Sequence, residues 1–122
     1  MIAIATAHAE LVVIVNAKNS VTSMTAEQVA DVYLGKDAGL TPVDLPGSAS
    51  ERGVFYQKVA GKDAAQTKAI WSRLVFTGKA QPPKEVASSA EAVKQVANND
   101  KGIAYVDKSA VDNSVKVVLS VN

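Results

Sequence analysis

The sequence predicts an α/β layer fold, and three observations carry that expectation. First, Leu11-Val12-Val13-Ile14-Val15 is a continuous, mostly β-branched run. Such a run suits a strand buried on both faces, as in a parallel sheet covered by helices. Second, short apolar strands alternate with segments that carry helix-start chemistry. Third, three helical patterns stop at a glycine followed by lysine: Gly35-Lys36, Gly61-Lys62 and Gly78-Lys79. These read as helix C-caps. They are not phosphate-binding loops, because none has a glycine five positions upstream or a Ser/Thr after the lysine.

Composition bounds the rest. The chain has 122 residues, enough for one domain, and is 48% hydrophobic, so it can bury a core. Net charge is +1 with acids and bases interspersed, and aromatics do not interleave with Arg or Lys. Nothing in that pattern points to nucleic acid. Cysteine is absent, which excludes disulfides and thiolate chemistry.

Residues 1–9 are small and mostly apolar and end Ala7-His8-Ala9 before Glu10. The small-x-small triplet resembles a signal-peptidase site, so this stretch reads as a signal-peptide remnant. In the competing reading, Ile2 and Ile4 extend the first strand. Residues 10–122 form the domain.

In chain order, Asn16-Ala17-Lys18-Asn19-Ser20 follows the first strand. Ligands in open α/β sheets sit at the C-terminal ends of strands, so Asn16 and Ser20 are second-rank site candidates. Thr25-Ala26-Glu27-Gln28 is a capping box that opens a helix, with Val29, Val32 and Tyr33 on one face. Thr41-Pro42-Val43 is a short strand. A helix is expected from about Ser50 to Ala60, with Phe55 and Val59 facing inward. Asp63 caps the next helix, whose apolar stripe is Ile70, Trp71, Leu74 and Val75. Residues 80–85 form an extended connector, because the residue before each proline is pushed away from helix. Ser88 begins another helix with Val93, Val96 and Ala97 inward. Residues 102–106 and 115–121 are the last two strands.

The candidate site lies between the second strand and the helix after it. Pro46-Gly47-Ser48-Ala49-Ser50-Glu51-Arg52 reads as a tight turn and a first helical turn, with Ser48 and Glu51 spaced as a capping box. Free N–H groups and the positive end of the helix dipole suit an anion there. Ser48 and Ser50 add hydroxyl donors, Ala49 is small, and Arg52 adds a full charge. The plain alternative is that Ser48 and Glu51 only cap a helix.

The residues give no catalytic pattern. The single histidine, His8, lies in the N-terminal stretch, and no nucleophile elbow or calcium loop is present. The expectation is a non-enzyme with no cofactor and no metal.

Leu11 to Asn16, then Met24-Thr25-Ala26-Glu27-Gln28-Val29-Ala30-Asp31-Val32-Tyr33-Leu34-Gly35-Lys36, then Lys101-Gly102-Ile103-Ala104-Tyr105-Val106, occur in an order that resembles the phosphate-binding periplasmic components of ABC transporters. The resemblance implies a single three-layer lobe of the type II periplasmic-binding-protein kind, with a mixed, mostly parallel sheet flanked by helices. It implies a short relative that carries one lobe rather than two. Ser48, Ala49 and Ser50 fall on that family's Ser-Gly-Thr anion loop. This chain departs from the pattern where Ala49 replaces glycine and where Asp44 stands in place of an arginine. The function implied is an exported, periplasmic phosphate or oxyanion-binding module, with a membrane transporter or receptor as partner, or a homodimer.

An anion at a helix N-terminus gains roughly 1–2 kcal/mol, and a charged hydrogen bond from Arg52 about 1.5–3 kcal/mol. The resulting 3–5 kcal/mol corresponds to about a millimolar dissociation constant, so the lone lobe is expected to bind weakly. The alternative is a single-lobe interaction or sensory protein that has lost its ligand, and Asp44 favours that alternative.

Overall fold

The computed structural model describes residues 10–36, 39–78 and 82–121. The signal-peptide-like segment and His8 lie outside the described residues. Five strands form one sheet: β1 (Leu11–Asn16), β2 (Thr41–Asp44), β3 (Lys84–Glu85), β4 (Gly102–Asp107) and β5 (Val115–Val121). Their order across the sheet is β3-β2-β4-β1-β5. β2 pairs parallel with β3 and β4, whereas β1 pairs antiparallel with β4 and β5. Four strands therefore point one way, and β1 alone runs against them. All six residues of β1 are buried, as the apolar run predicts. Its direction differs from the expectation, because apolar continuity reports cover on both faces and carries no information about polarity.

Helices cover the sheet on both sides. Val13 and Val15 of β1 and Ile103 and Tyr105 of β4 face one core, with Val29, Val32, Tyr33, Phe55 and Tyr56. Val12 and Ile14, with Ala104 and Val106, face the other core, against Ala92, Val93 and Val96. The first cover comes from α1 (Ala26–Tyr33) and α2 (Ser50–Phe55), the second from α4 (Ser89–Ala97). The result is the expected three-layer α/β lobe. α2 continues through Tyr56–Ala60 with the wider winding of a π-helix.

Local chemistry explains the boundaries. The Thr25–Gln28 and Asp63–Gln66 capping boxes both form, opening α1 and α3 (Ala64–Phe76). Gly35, Gly61 and Gly78 all have positive φ, so all three glycines end helices, as expected. Gly102 is needed for a different reason. A Cβ there would lie 3.0 Å from the Val96 Cα, so α4 can rest on β4 only over a residue without a side chain.

Two local expectations also differ from the structure. The Ser48–Glu51 capping box does not form. Ala49 is the N-cap of α2 and makes no side-chain cap bond, while the Ser50 hydroxyl lies 3.3 Å from Glu51 Oε1. The cause is the preceding turn, in which the Ala49 N–H donates to the Pro46 carbonyl at 2.9 Å and fixes where the helix begins. The apolar stripe of α3 is covered only in part, with Ile70 and Leu74 half-buried. Trp71 is buried, but Val75 is 49% and Phe76 92% exposed. Trp71 Nε1 donates to the Tyr33 carbonyl at 2.8 Å, which ties α3 to the end of α1.

Candidate functional site

Since β2, β3 and β4 run parallel, their C-terminal ends share one edge of the sheet. Asp44 ends β2 there and is 2% exposed. A buried carboxylate needs hydrogen-bond donors around it. The Tyr56 hydroxyl donates to Asp44 Oδ2 at 2.6 Å. The Tyr105 hydroxyl and the Leu45 N–H donate to Oδ1, the latter at 2.9 Å. Arg52 Nε lies 3.9 Å from Oδ1. The rings are fixed by packing, with Phe55 stacked on Tyr105 at 4.0 Å between centroids.

Arg52 is engaged on every side. Its Nη1 donates to the Leu45 carbonyl at 2.9 Å and to Glu85 Oε2 at 3.2 Å. Its guanidinium lies over the Tyr56 ring, 5.8 Å from the centroid. Burial works against the Arg52 charge, but Asp44 and Glu85 outweigh it and raise its pKa. Burial, followed by the charge and hydrogen bond of Asp44, pushes the Tyr56 and Tyr105 hydroxyls well above the ordinary phenol range. Both remain protonated donors over any ordinary pH.

The turn divides the sequence-predicted residues between two clefts. Arg52 and Gly47 line a cleft of about 900 Å³ together with Asp44, Tyr56, Trp71 and Glu85. Ser48 and Ala49 line a second cleft, of about 460 Å³, with Ser88, Ser89 and Ser109. Ser50 is exposed at the first position of α2. The second cleft gathers the starts of α2, α4 and the short 3₁₀ turn Lys108–Ala110, since all three follow strands that end at this edge. Its serines already serve locally. Ser88 Oγ accepts from the Glu91 N–H, and Ser89 Oγ accepts from the Asp107 N–H.

Asn16 and Ser20 are not part of this edge. β1 runs against its neighbours, so Asn16 pairs with Val115 at the start of β5. Asn16 Nδ2 donates to the carbonyls of Val96 and Ala97, closing the end of α4 at 2.9 and 3.1 Å. The Asn16 side chain is therefore a buried structural cap, and Ser20 is exposed at the same far edge. Because β1 runs against its neighbours, its C-terminal end lies at the opposite edge of the sheet from those of β2, β3 and β4. Sequence reading also missed Tyr56, Tyr105, Glu85, Ser88 and Ser89, which only the topology brings to this edge. Among the described residues, no group of three His, Cys, Asp or Glu could hold a metal ion. No helix among them is long and apolar enough to cross a membrane.

Solved structures share this architecture. A protein from Clostridium perfringens described as a phosphate ABC transporter substrate-binding protein, with phosphate bound, matches at TM-score 0.74 and 22% identity. The match covers 89% of this chain and 44% of that one. An ABC-type phosphate transport receptor from Vibrio cholerae matches at TM-score 0.70 and 20% identity, over 89% of this chain and 45% of its own. PstS from Borrelia burgdorferi matches at 0.66 and 14%, over 90% and 46%. The chain has the fold of phosphate substrate-binding proteins at under half their length. No family model matches the sequence, and no curated protein does.

Proposed function

We propose that the chain is an exported oxyanion-binding module of the phosphate substrate-binding kind, weak in affinity as an isolated lobe. The observation that carries this reading is the fold likeness, over 89% of the chain, to a structure with phosphate bound. The proposed contact is the turn Ser48-Ala49-Ser50, where the start of α2 has no side-chain cap. The hydroxyls of Ser48 and Ser50 supply further donors. Arg52 lines the other cleft, and its charge is shared with Asp44 and Glu85.

With Arg52 so engaged, its contribution of about 1.5–3 kcal/mol is withheld and the site keeps chiefly the dipole contribution of roughly 1–2 kcal/mol. The isolated lobe is therefore expected to bind more weakly than about millimolar. Closing the site against a second lobe, a second copy or a transporter component would lower the local dielectric and tighten it. The test is a phosphate titration of the free protein by amide NMR at fixed ionic strength, with sulfate and chloride as controls. Saturable shifts confined to residues 47–53 support the reading. Absent shifts, or equal shifts with all three anions, refute it for the isolated lobe.

Two observations favour a second reading, an interaction or sensory lobe without ligand. The single cation at the turn is held by the chain's own carboxylates, and α3 leaves Val75 and Phe76 exposed. Under that reading all three anions give the same small response, and a protein partner covers the exposed face.

A further inference from the structure

We propose that Asp44 is a built-in anion: its carboxylate occupies a donor cradle formed by Tyr56, Tyr105, the Leu45 N–H and Arg52, and so decides that external oxyanions do not enter it. This goes beyond the reading above and does not rest on it, because the cradle lies on the other side of the turn from Ser48 and Ala49.

The geometry is that of a bound anion whose tether is one methylene long. Three hydrogen-bond donors converge on two oxygens, and the Arg52 guanidinium stands beside them as an ion-pair partner, Nε 3.9 Å from Oδ1. Two of the donors come from residues 12 and 61 positions away in the chain. Burial alone calls for donors around a carboxylate; what is particular here is that two of them are phenol hydroxyls brought from α2's continuation and from β4. Here every donor is a protein group aimed at one carboxylate, and no buried side-chain nitrogen or oxygen among the described residues lacks a partner. The carboxylate also lines the 900 Å³ cleft, so the cradle is reached from the cleft once the carboxylate is removed. An oxyanion arriving in the wild-type cleft finds the three donors taken by Asp44, Arg52 engaged with the Leu45 carbonyl and Glu85, and two carboxylates facing it.

Small oxyanions present the same acceptor oxygens as a side-chain carboxylate. Asp44→Ala removes that group and leaves a void of its size between two hydroxyls, one N–H and one guanidinium. Formate restores the missing group, and phosphate can place one edge in the void and the rest in the cleft. Asp44→Asn keeps the shape, so its amide fills the void.

The experiment compares wild type, Asp44→Ala and Asp44→Asn in formate, phosphate and chloride at equal ionic strength. Trp71 fluorescence follows thermal unfolding, and amide NMR follows binding. Asp44→Ala is expected to bind formate saturably and at least tenfold more tightly than wild type or Asp44→Asn, with the largest shifts at Leu45, Tyr56 and Tyr105. Adding Tyr56→Phe to Asp44→Ala should reduce that affinity severalfold. If Asp44→Ala folds only when formate or phosphate is present, the cradle is equally supported. The proposal is overturned if Asp44→Ala responds no more than wild type, responds as strongly to chloride, or stays unfolded in every anion. The proposed function is read instead on the wild-type amides of residues 47–53, so either can fail alone.

Discussion

Removing one oxygen from Tyr56 tests how much the buried carboxylate matters to the fold. Tyr56→Phe deletes the hydroxyl that donates to Asp44 Oδ2 at 2.6 Å and leaves the ring, which packs edge-on against Tyr33 and Phe55. A hydrogen bond to a charged group contributes about 1.5–3 kcal/mol. Asp44 keeps the Tyr105 hydroxyl and the Leu45 N–H, so the expected loss is in the lower half, about 2 kcal/mol. The internal control is Tyr33→Phe. Its hydroxyl donates to the neutral carbonyls of Val43 and Ile103 at 2.7 and 3.2 Å, and it should cost about 1 kcal/mol. Urea unfolding followed by Trp71 fluorescence measures both, with an unchanged m-value as the condition for comparing midpoints. For a chain of this size the Tyr56→Phe loss corresponds to a fall in Tm of roughly 6–10 °C. A Tyr56→Phe loss equal to or smaller than that of Tyr33→Phe would refute the view that Asp44 organises this edge.

Three further expectations follow from the same geometry. All three tyrosines are buried with raised pKa, so the folded state holds them protonated while the unfolded chain ionises near pH 10. Their contribution is complete below pH 10 and falls above it, by about 1.4 kcal/mol per pH unit per tyrosine. Tyrosinate absorbance near 295 nm (an approximate wavelength) should therefore appear together with unfolding, and its appearance in the folded protein near pH 10 would count against the burial described. Ala49→Ser supplies the side-chain cap that α2 lacks and should stabilise by about 1 kcal/mol, seen as a raised urea midpoint. Gly35→Ala should cost more than Gly61→Ala. Both have positive φ, worth about 1–2 kcal/mol, but only at Gly35 would the new Cβ meet Leu74 Cδ1, at 2.6 Å. Equal losses in urea unfolding would mean that Leu74 moves aside freely.

Much of the fold was legible because its signals are local. Gly35, Gly61 and Gly78 stop helices through backbone conformation alone, and Thr25–Gln28 and Asp63–Gln66 complete their boxes within one turn. The Ser48–Glu51 box has the same spacing and does not form, because the Pro46–Ala49 turn sets the start of α2 one residue later. The stripe on α3 predicted burial at Val75 that the fold does not supply. An apolar period shows which face is sticky and is silent on whether a partner element exists. The direction of β1 was not legible, and it puts Asn16 and Ser20 at the opposite edge from the Ser48–Ser50 turn. The Asp44 cluster was not legible either, since its tyrosines lie on α2's continuation and on β4 and meet the carboxylate only across the folded edge. Asp44 itself did stand out, as a carboxylate where the resemblance implies an arginine. The structure supplies its physical setting, a carboxylate surrounded by donors.

The most direct measurement of the central claim is a crystal structure grown in arsenate, a phosphate analogue whose arsenic is located by anomalous scattering. An anomalous peak is expected within hydrogen-bond reach of the Ser48–Ser50 turn, on the side facing Ser88 and Ser89. An empty turn, with arsenate found only at surface lysines or nowhere, would contradict it.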